Sequence, residues 1–191
     1  MRATSKCNAV DVSDTWTDES GVNAIIASGH MDGSLRFWDL RSGSRSHCVS
    51  SIHTDQVTSV QFSLGSSNLL LTNSRDNTLK LVDTRTYEAI TCLRHPNYRT
   101  PTAFSRACLA PGATFAAAGS IDHAVYVWDL ALGSESSNAA AGWGLSTGTG
   151  SQRVVAVLES HEAPVVGCHW SARAPGRLAS CDTAGVLCLW G

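Results

Sequence analysis

Ser28-Gly29-His30-Met31-Asp32-Gly33-Ser34-Leu35-Arg36-Phe37-Trp38-Asp39-Leu40-Arg41 decides the reading of this chain, because its pattern returns three times. It recurs as Thr72-Asn73-Ser74-Arg75-Asp76-Asn77-Thr78-Leu79-Lys80-Leu81-Val82-Asp83-Thr84-Arg85, then as Gly119-Ser120-Ile121-Asp122-His123-Ala124-Val125-Tyr126-Val127-Trp128-Asp129-Leu130. The fourth copy, Ser180-Cys181-Asp182-Thr183-Ala184-Gly185-Val186-Leu187-Cys188-Leu189-Trp190, is degenerate. In the first three copies an aspartate precedes the aromatic position by six residues: Asp32 to Trp38, Asp76 to Val82, Asp122 to Trp128. In the fourth, Ala184 occupies the aspartate register and Asp182 lies two residues early.

Outward from each copy the chain alternates apolar and polar residues between Gly, Pro, Asn and Asp punctuation, the pattern of short antiparallel strands joined by tight turns. The predicted strands of the first unit are Ala9 to Val12, Ala24 to Ser28, Leu35 to Asp39 and His47 to Ile52. Three further sets follow, and no segment carries a helical period. Trp38 to Val82 spans 44 residues, Val82 to Trp128 spans 46, and Trp128 to Trp190 spans 62. The last interval contains residues 134–152, a Ser/Gly/Ala/Thr-rich stretch with the lone aromatic Trp143. That composition reads as a flexible insertion, and removing its 19 residues leaves 43. A period near 40–45 with four strands per unit is the WD40 signature. The fold class expected is all-β, a partial WD40 β-propeller of about four blades, with units over 1–52, 53–93, 94–158 and 159–191. One such sheet cannot bury both of its apolar faces alone, and radial stacking supplies the missing contacts. The fourth unit is expected to lack its outer strand, which suggests a fragment, a truncated gene product or a half-propeller that self-associates through open edges.

Composition narrows the function. With 43% hydrophobic residues the 191-residue chain can build a core. A formal net charge of -2 offers no basic footprint for nucleic acid. No apolar run approaches the length of a membrane span, so direct membrane insertion is not expected. The seven cysteines, an odd number without a C-x-x-C pair, read as reduced core residues of a cytosolic or nuclear protein, and the cytoplasm is the location expected.

The residues resemble the C-terminal propeller of the autophagy-related 16-like proteins. The more specific parts are Ser28 through Ser42, the tryptophan-less Ser74 through Thr86 with Val82-Asp83 where other units have Trp-Asp, and Ala116-Ala117-Ala118-Gly119-Ser120 leading to Tyr126-Val127-Trp128. The resemblance implies a scaffold of the machinery that conjugates a ubiquitin-like modifier to membrane lipid during autophagosome formation. Its propeller would dock adaptors and conjugation partners and could be recruited to autophagic membranes through them. Such scaffolds carry a helix and a coiled coil ahead of the propeller, which these 191 residues are not expected to include. The alternative is a substrate receptor of a cullin-type ubiquitin ligase, for which Arg41 and Arg85, following the third strands, are the candidate adaptor contacts.

Repeats of this kind can link a histidine, a Ser or Thr, the turn aspartate and the third-strand Trp in one buried chain. The second unit offers His53, Thr72 and Asp76 without a Trp. The fourth offers His161, Ser180 and Trp190. Units one and three have Asp32 with Trp38 and Asp122 with Trp128 but no well-placed histidine, so no unit is expected to be complete. These Ser, His and Asp residues sit at repeat-equivalent positions and no G-x-S-x-G elbow exists, so no catalytic residue and no enzyme activity are assigned. His161, Cys168 and His169 follow strand alternation, and no metal or cofactor is assigned. The binding candidates are rim residues Met31, Arg75, Asn77, Asn97, Tyr98, Arg99, Ile121 and His123, because loops on a rigid scaffold carry propeller function.

Overall fold

The alternation places one set of side chains against each neighbouring sheet, and the computed structural model shows the result for residues 5–13, 24–64, 66–130, 154–174 and 176–191. The first sheet is β1 (Cys7–Val12), β2 (Ile25–His30), β3 (Leu35–Asp39) and β4 (Ser44–Val49), in that spatial order. The second is β5 (Val57–Ser63), β6 (Ser66–Ser74), β7 (Leu79–Asp83) and β8 (Glu88–Leu93). The third is β9 (Ala107–Leu109), β10 (Phe115–Gly119), β11 (Ala124–Asp129) and β12 (Val154–Glu159), with a 3-10 turn at Pro111–Ala113 after β9. The fourth, among the described residues, has three strands, β13 (Val165–Trp170), β14 (Leu178–Asp182) and β15 (Leu187–Trp190). Every pairing within these sheets is antiparallel. The fold is an all-β partial β-propeller of about four blades. The insertion at 134–152, with Trp143, lies outside the described residues. The outer strand of the first blade begins and ends earlier than the expected His47 to Ile52, because Ile52 and His53 turn inward to begin the next blade.

Three apolar cores fill the three spaces between the four blades. Phe37, Leu35 and Ala27 meet Val57, Phe62, Leu70 and Val82 between blades one and two. Leu71, Leu79 and Leu81 meet Tyr98, Tyr126 and Trp128 between two and three. Cys108, Val125 and Val127 meet Val165, Cys168 and Trp170 between three and four. Val82 is fully buried in the first of these, so an aliphatic side chain takes the space that an indole fills elsewhere. The inner strands also lend each other side chains along their edges. Phe62 N–H donates to Asp11 at 2.7 Å, Ala107 N–H to Ser59 at 3.1 Å and Leu109 N–H to Gln61 at 2.7 Å. A strand edge that would otherwise face solvent is thereby paired.

At one repeated position, close approach requires glycine in blades one and three. A Cβ at Gly29 would stand 2.4 Å from a Val57 methyl, and one at Gly119 2.4 Å from the Val165 carbonyl oxygen. Blade two has Asn73 there, reached by the Tyr98 hydroxyl at 3.0 Å.

The cysteines depart from expectation. All seven are free thiols, but Cys7 and Cys181 are exposed and Cys48, Cys92 and Cys188 half-buried; only Cys108 and Cys168 are core residues. The strands carrying the others turn those positions outward, a facing that an apolar run does not reveal.

Candidate functional site

Each second-to-third-strand turn is built the same way. A backbone bond closes it, from His30 N–H to Ser34, Ser74 to Thr78, Ser120 to Ala124 and Asp182 to Val186. Its penultimate residue is left-handed: Gly33 (φ 73°), Asn77 (φ 62°), His123 (φ 70°) and Gly185 (φ 87°). Glycine and asparagine tolerate that region, which is why the turns read correctly in the sequence.

The polar chains differ from blade to blade. In blade two, His53 Nδ1 lies 2.9 Å from Asp76 Oδ2 and Nε2 lies 2.8 Å from Thr72 Oγ1. Because the carboxylate only accepts, Nδ1 carries the hydrogen it donates. Burial pushes the Asp76 carboxyl up, but the His53 hydrogen bond and charge, the Thr78 hydroxyl and the Thr54 N–H together hold it well below the usual carboxylate range.

Blade four is complete, contrary to expectation. Trp190 Nε1 donates to Ser180 Oγ at 2.8 Å, Ser180 lies 2.7 Å from His161 Nε2, and His161 Nδ1 lies 2.8 Å from Asp182 Oδ2. Asp182 also accepts the N–H groups of Ala184 and Val186. A carboxylate two residues earlier, on the strand rather than in the turn, reaches the same imidazole. Burial pushes its carboxyl up, and the Val186 N–H, His161 and the Ala184 N–H bring it below the usual range.

Blade one also has a histidine chain. Trp38 Nε1 donates to Ser28 Oγ at 2.9 Å, and Ser28 lies 3.0 Å from His30 Nε2. His30 comes from the end of β2, not from the strand entrance. Asp32 serves the turn and Arg36 instead, accepting from Ser34 and from Arg36 Nη2 at 3.0 Å.

Blade three has no such chain. Ala118 stands where the other blades have Ser28, Thr72 and Ser180, and among the described residues the buried Trp128 Nε1 has no hydrogen-bond partner. Asp122 instead accepts from the Tyr126 hydroxyl at 2.6 Å. Ala118→Ser is expected to stabilise the protein by about 1 kcal/mol. The new hydroxyl would accept from Trp128 Nε1 and donate to the Tyr126 carbonyl, as Ser28 does to Arg36. A urea-unfolding midpoint equal to or below that of the parent would contradict this.

Ser180, His161 and Asp182 contact one another in the order of a hydrolytic triad. Their placement gives the hydroxyl no face for a substrate: Ser180 is 2% exposed and its oxygen already receives the Trp190 N–H. The same holds for Thr72, 0% exposed. These groups hold blades together. Among the described residues, no three His, Cys, Asp or Glu side chains gather where they would hold a metal ion, and His169 points to solvent away from the buried His161 and Cys168.

The rim therefore supplies the candidate interface. Met31 and Ile121 are half-exposed, and Asn97, Arg99 and His123 face solvent. Arg75 is committed internally, donating to the carbonyls of Thr100 and Pro101 at 3.2 and 2.6 Å, and Asn77 accepts the Thr100 N–H at 3.0 Å. Tyr98 is not a rim residue. It is 0% exposed, edge-on to Trp128 and Tyr126, with its hydroxyl donated to Asn73. Burial pushes the phenol far above its ordinary range. Phe104, 80% exposed in the loop leading to β9, escaped the sequence reading; the signal available was an aromatic among Thr102, Ala103 and Ser105, just ahead of the strand pattern of the third unit. On β15, Leu187 and Leu189 are exposed. A groove of about 360 Å³ runs along the inner strands of all four blades, lined by Asp11, Phe62, Arg106, Cys108, Cys168 and His169 among others.

Comparison with known proteins places these features. A family model described as "WD domain, G-beta repeat" matches residues 7–39 and 46–83. Autophagy-related protein 16 of Arabidopsis thaliana is 36% identical over 188 residues, 98% of this chain and 31% of that protein. Protein tipD of Dictyostelium discoideum is 42% identical over 113 residues, 59% of this chain and 18% of that protein. The matched segments are thus a third or less of these relatives. Among solved structures, the computationally designed Ika4 protein superposes with a TM-score of 0.65 at 17% identity, covering 99% of this chain and 92% of that one. That likeness concerns the fold alone.

Proposed function

Since this chain is a WD40 repeat protein resembling the propeller of the autophagy-related 16-like proteins, we propose that it is the docking module of an autophagy conjugation scaffold. In this reading it acts without chemistry, in the cytoplasm, by binding adaptors or conjugation machinery through its loop rim. The observation that carries the reading is the identity with the Arabidopsis protein over 98% of the chain. The geometry supports it: His53, Thr72, His161 and Ser180 lie in buried hydrogen-bonded chains, while Met31, Asn97, Phe104, Ile121 and His123 are exposed on loops of a rigid frame. No helix among the described residues is long and apolar enough to cross a membrane, so attachment to autophagic membranes would run through partners.

The ligase-receptor alternative is not favoured. Arg85 is turned back onto Asp83, with Nη2 at 2.6 Å and Nε at 3.0 Å. That guanidinium and the Arg85 N–H bring the Asp83 carboxyl down to about 2. Co-purification from starved cells tests the choice. Recovery of subunits of the lipid-conjugation machinery is expected. Recovery instead of a cullin-ligase adaptor, lost on Arg41→Ala, would overturn the proposal.

A further inference from the structure

Cys108 on β9 and Cys168 on β13 sit on the inner strands of adjacent blades with their sulfurs 3.4 Å apart. They are 2% and 8% exposed, and both line the central groove. No hydrogen-bonded chain described above uses either. Their neighbours are main-chain: Cys168 Sγ lies within donating distance of the carbonyls of Ala117 at 3.2 Å and Arg106 at 3.4 Å, and accepts from the Cys108 thiol. Arg106 N–H bonds the Val166 carbonyl at 2.8 Å, which pins the two strands together beside the pair.

We propose that Cys108 and Cys168 are an oxidisable inter-blade pair, converted to a disulfide by a small two-electron oxidant of the hydrogen peroxide class entering through the central groove. Cys168, the more accessible sulfur, attacks one peroxide oxygen. The S–O bond forms, the O–O bond breaks, and the departing hydroxide takes the thiol proton to become water. Cys108 then attacks the Cys168 sulfenic sulfur. The S–S bond forms, the S–O bond breaks, and the second hydroxide leaves as water with the Cys108 proton. The two thiols lose two electrons, the peroxide gains them, and two waters result. The bond ties together positions 60 residues apart and clamps blade three to blade four at the wall of the groove. Burial and the neighbouring sulfur push the Cys108 thiol well above its ordinary range, so the second step accelerates as pH rises.

The sequence provides a clean readout. Trypsin releases Cys108 in the peptide 107–153 and Cys168 in 154–173, each with no other cysteine. The full chain is treated with hydrogen peroxide at increasing pH, its remaining thiols are alkylated, and it is digested without reduction. The expected result is a linked 107–153/154–173 pair from the monomeric fraction, formed faster at higher pH. A Tm several degrees higher, reversed by dithiothreitol, should accompany it. Cys108→Ala should abolish both the linked peptide and the reversible Tm rise, and Cys168→Ala serves equally if the first variant folds poorly. Full alkylation of Cys108 and Cys168 after the exposed Cys7 and Cys181 have been oxidised would overturn the proposal, as would linkage of either to a different cysteine.

Discussion

Trp128→Ala is expected to cost about 3–5 kcal/mol, a large part of the stability of a domain of this kind. The indole is fully buried at the centre of the core between blades two and three, with Tyr98 edge-on at 5.2 Å and Tyr126 stacked at 5.9 Å. Alanine would leave a cavity lined by two aromatic rings and the small side chains Ala116 and Ala118, none of which can swing in to fill it. Trp128→Phe keeps much of the ring and removes an N–H that has no partner among the described residues, so it should cost less than half as much. Urea unfolding of the three proteins checks the ordering. Equal loss for both variants would mean that the N–H has a partner after all.

His53→Ala should cost about 3 kcal/mol at neutral pH, because it empties a buried site and takes from Asp76 and Thr72 the ring that now joins them, leaving each one hydrogen bond short. Its pH dependence separates this account from a simple cavity. The folded Asp76 carboxyl lies below its unfolded value, so the stability it contributes is fully present above about pH 4, the unfolded carboxylate pKa. That contribution is lost as pH falls from there towards the folded value. The parent should therefore lose stability more steeply than His53→Ala between about pH 4 and pH 2, and the two curves should converge. Parallel curves over that window would show that His53 acts by packing alone.

The repeat's frame was legible because it rests on local rules. Asp-Gly and Asp-Asn turns, a six-residue step to the third-strand aromatic and alternating strands each follow from backbone geometry, and Leu35–Asp39 falls where the pattern places it. Val82 was legible as a departure, and the structure shows it filling a buried site without an indole. The polar chains were less legible. Counting register assumes that a role belongs to a position, whereas hydrogen bonding asks only that an atom arrive. Asp182 reaches His161 from two residues early, and His30 reaches Ser28 from the wrong end of a strand. Tyr98 was hidden for another reason. Polar neighbours on both sides mark a loop, but nothing local says that the loop folds a phenol into the next blade's core. Phe104 is the converse, an aromatic that no core receives.

The central claim is that the conspicuous Asp, His and Trp positions build the frame, and that the side chains left free on the rim do the binding. The direct measurement is the affinity of purified chain for its recovered conjugation-machinery partner, comparing the parent with a Met31→Ala/Phe104→Ala/Ile121→Ala variant. The account predicts binding weaker by about tenfold or more with an unchanged unfolding midpoint. Undiminished binding by the folded variant would contradict it.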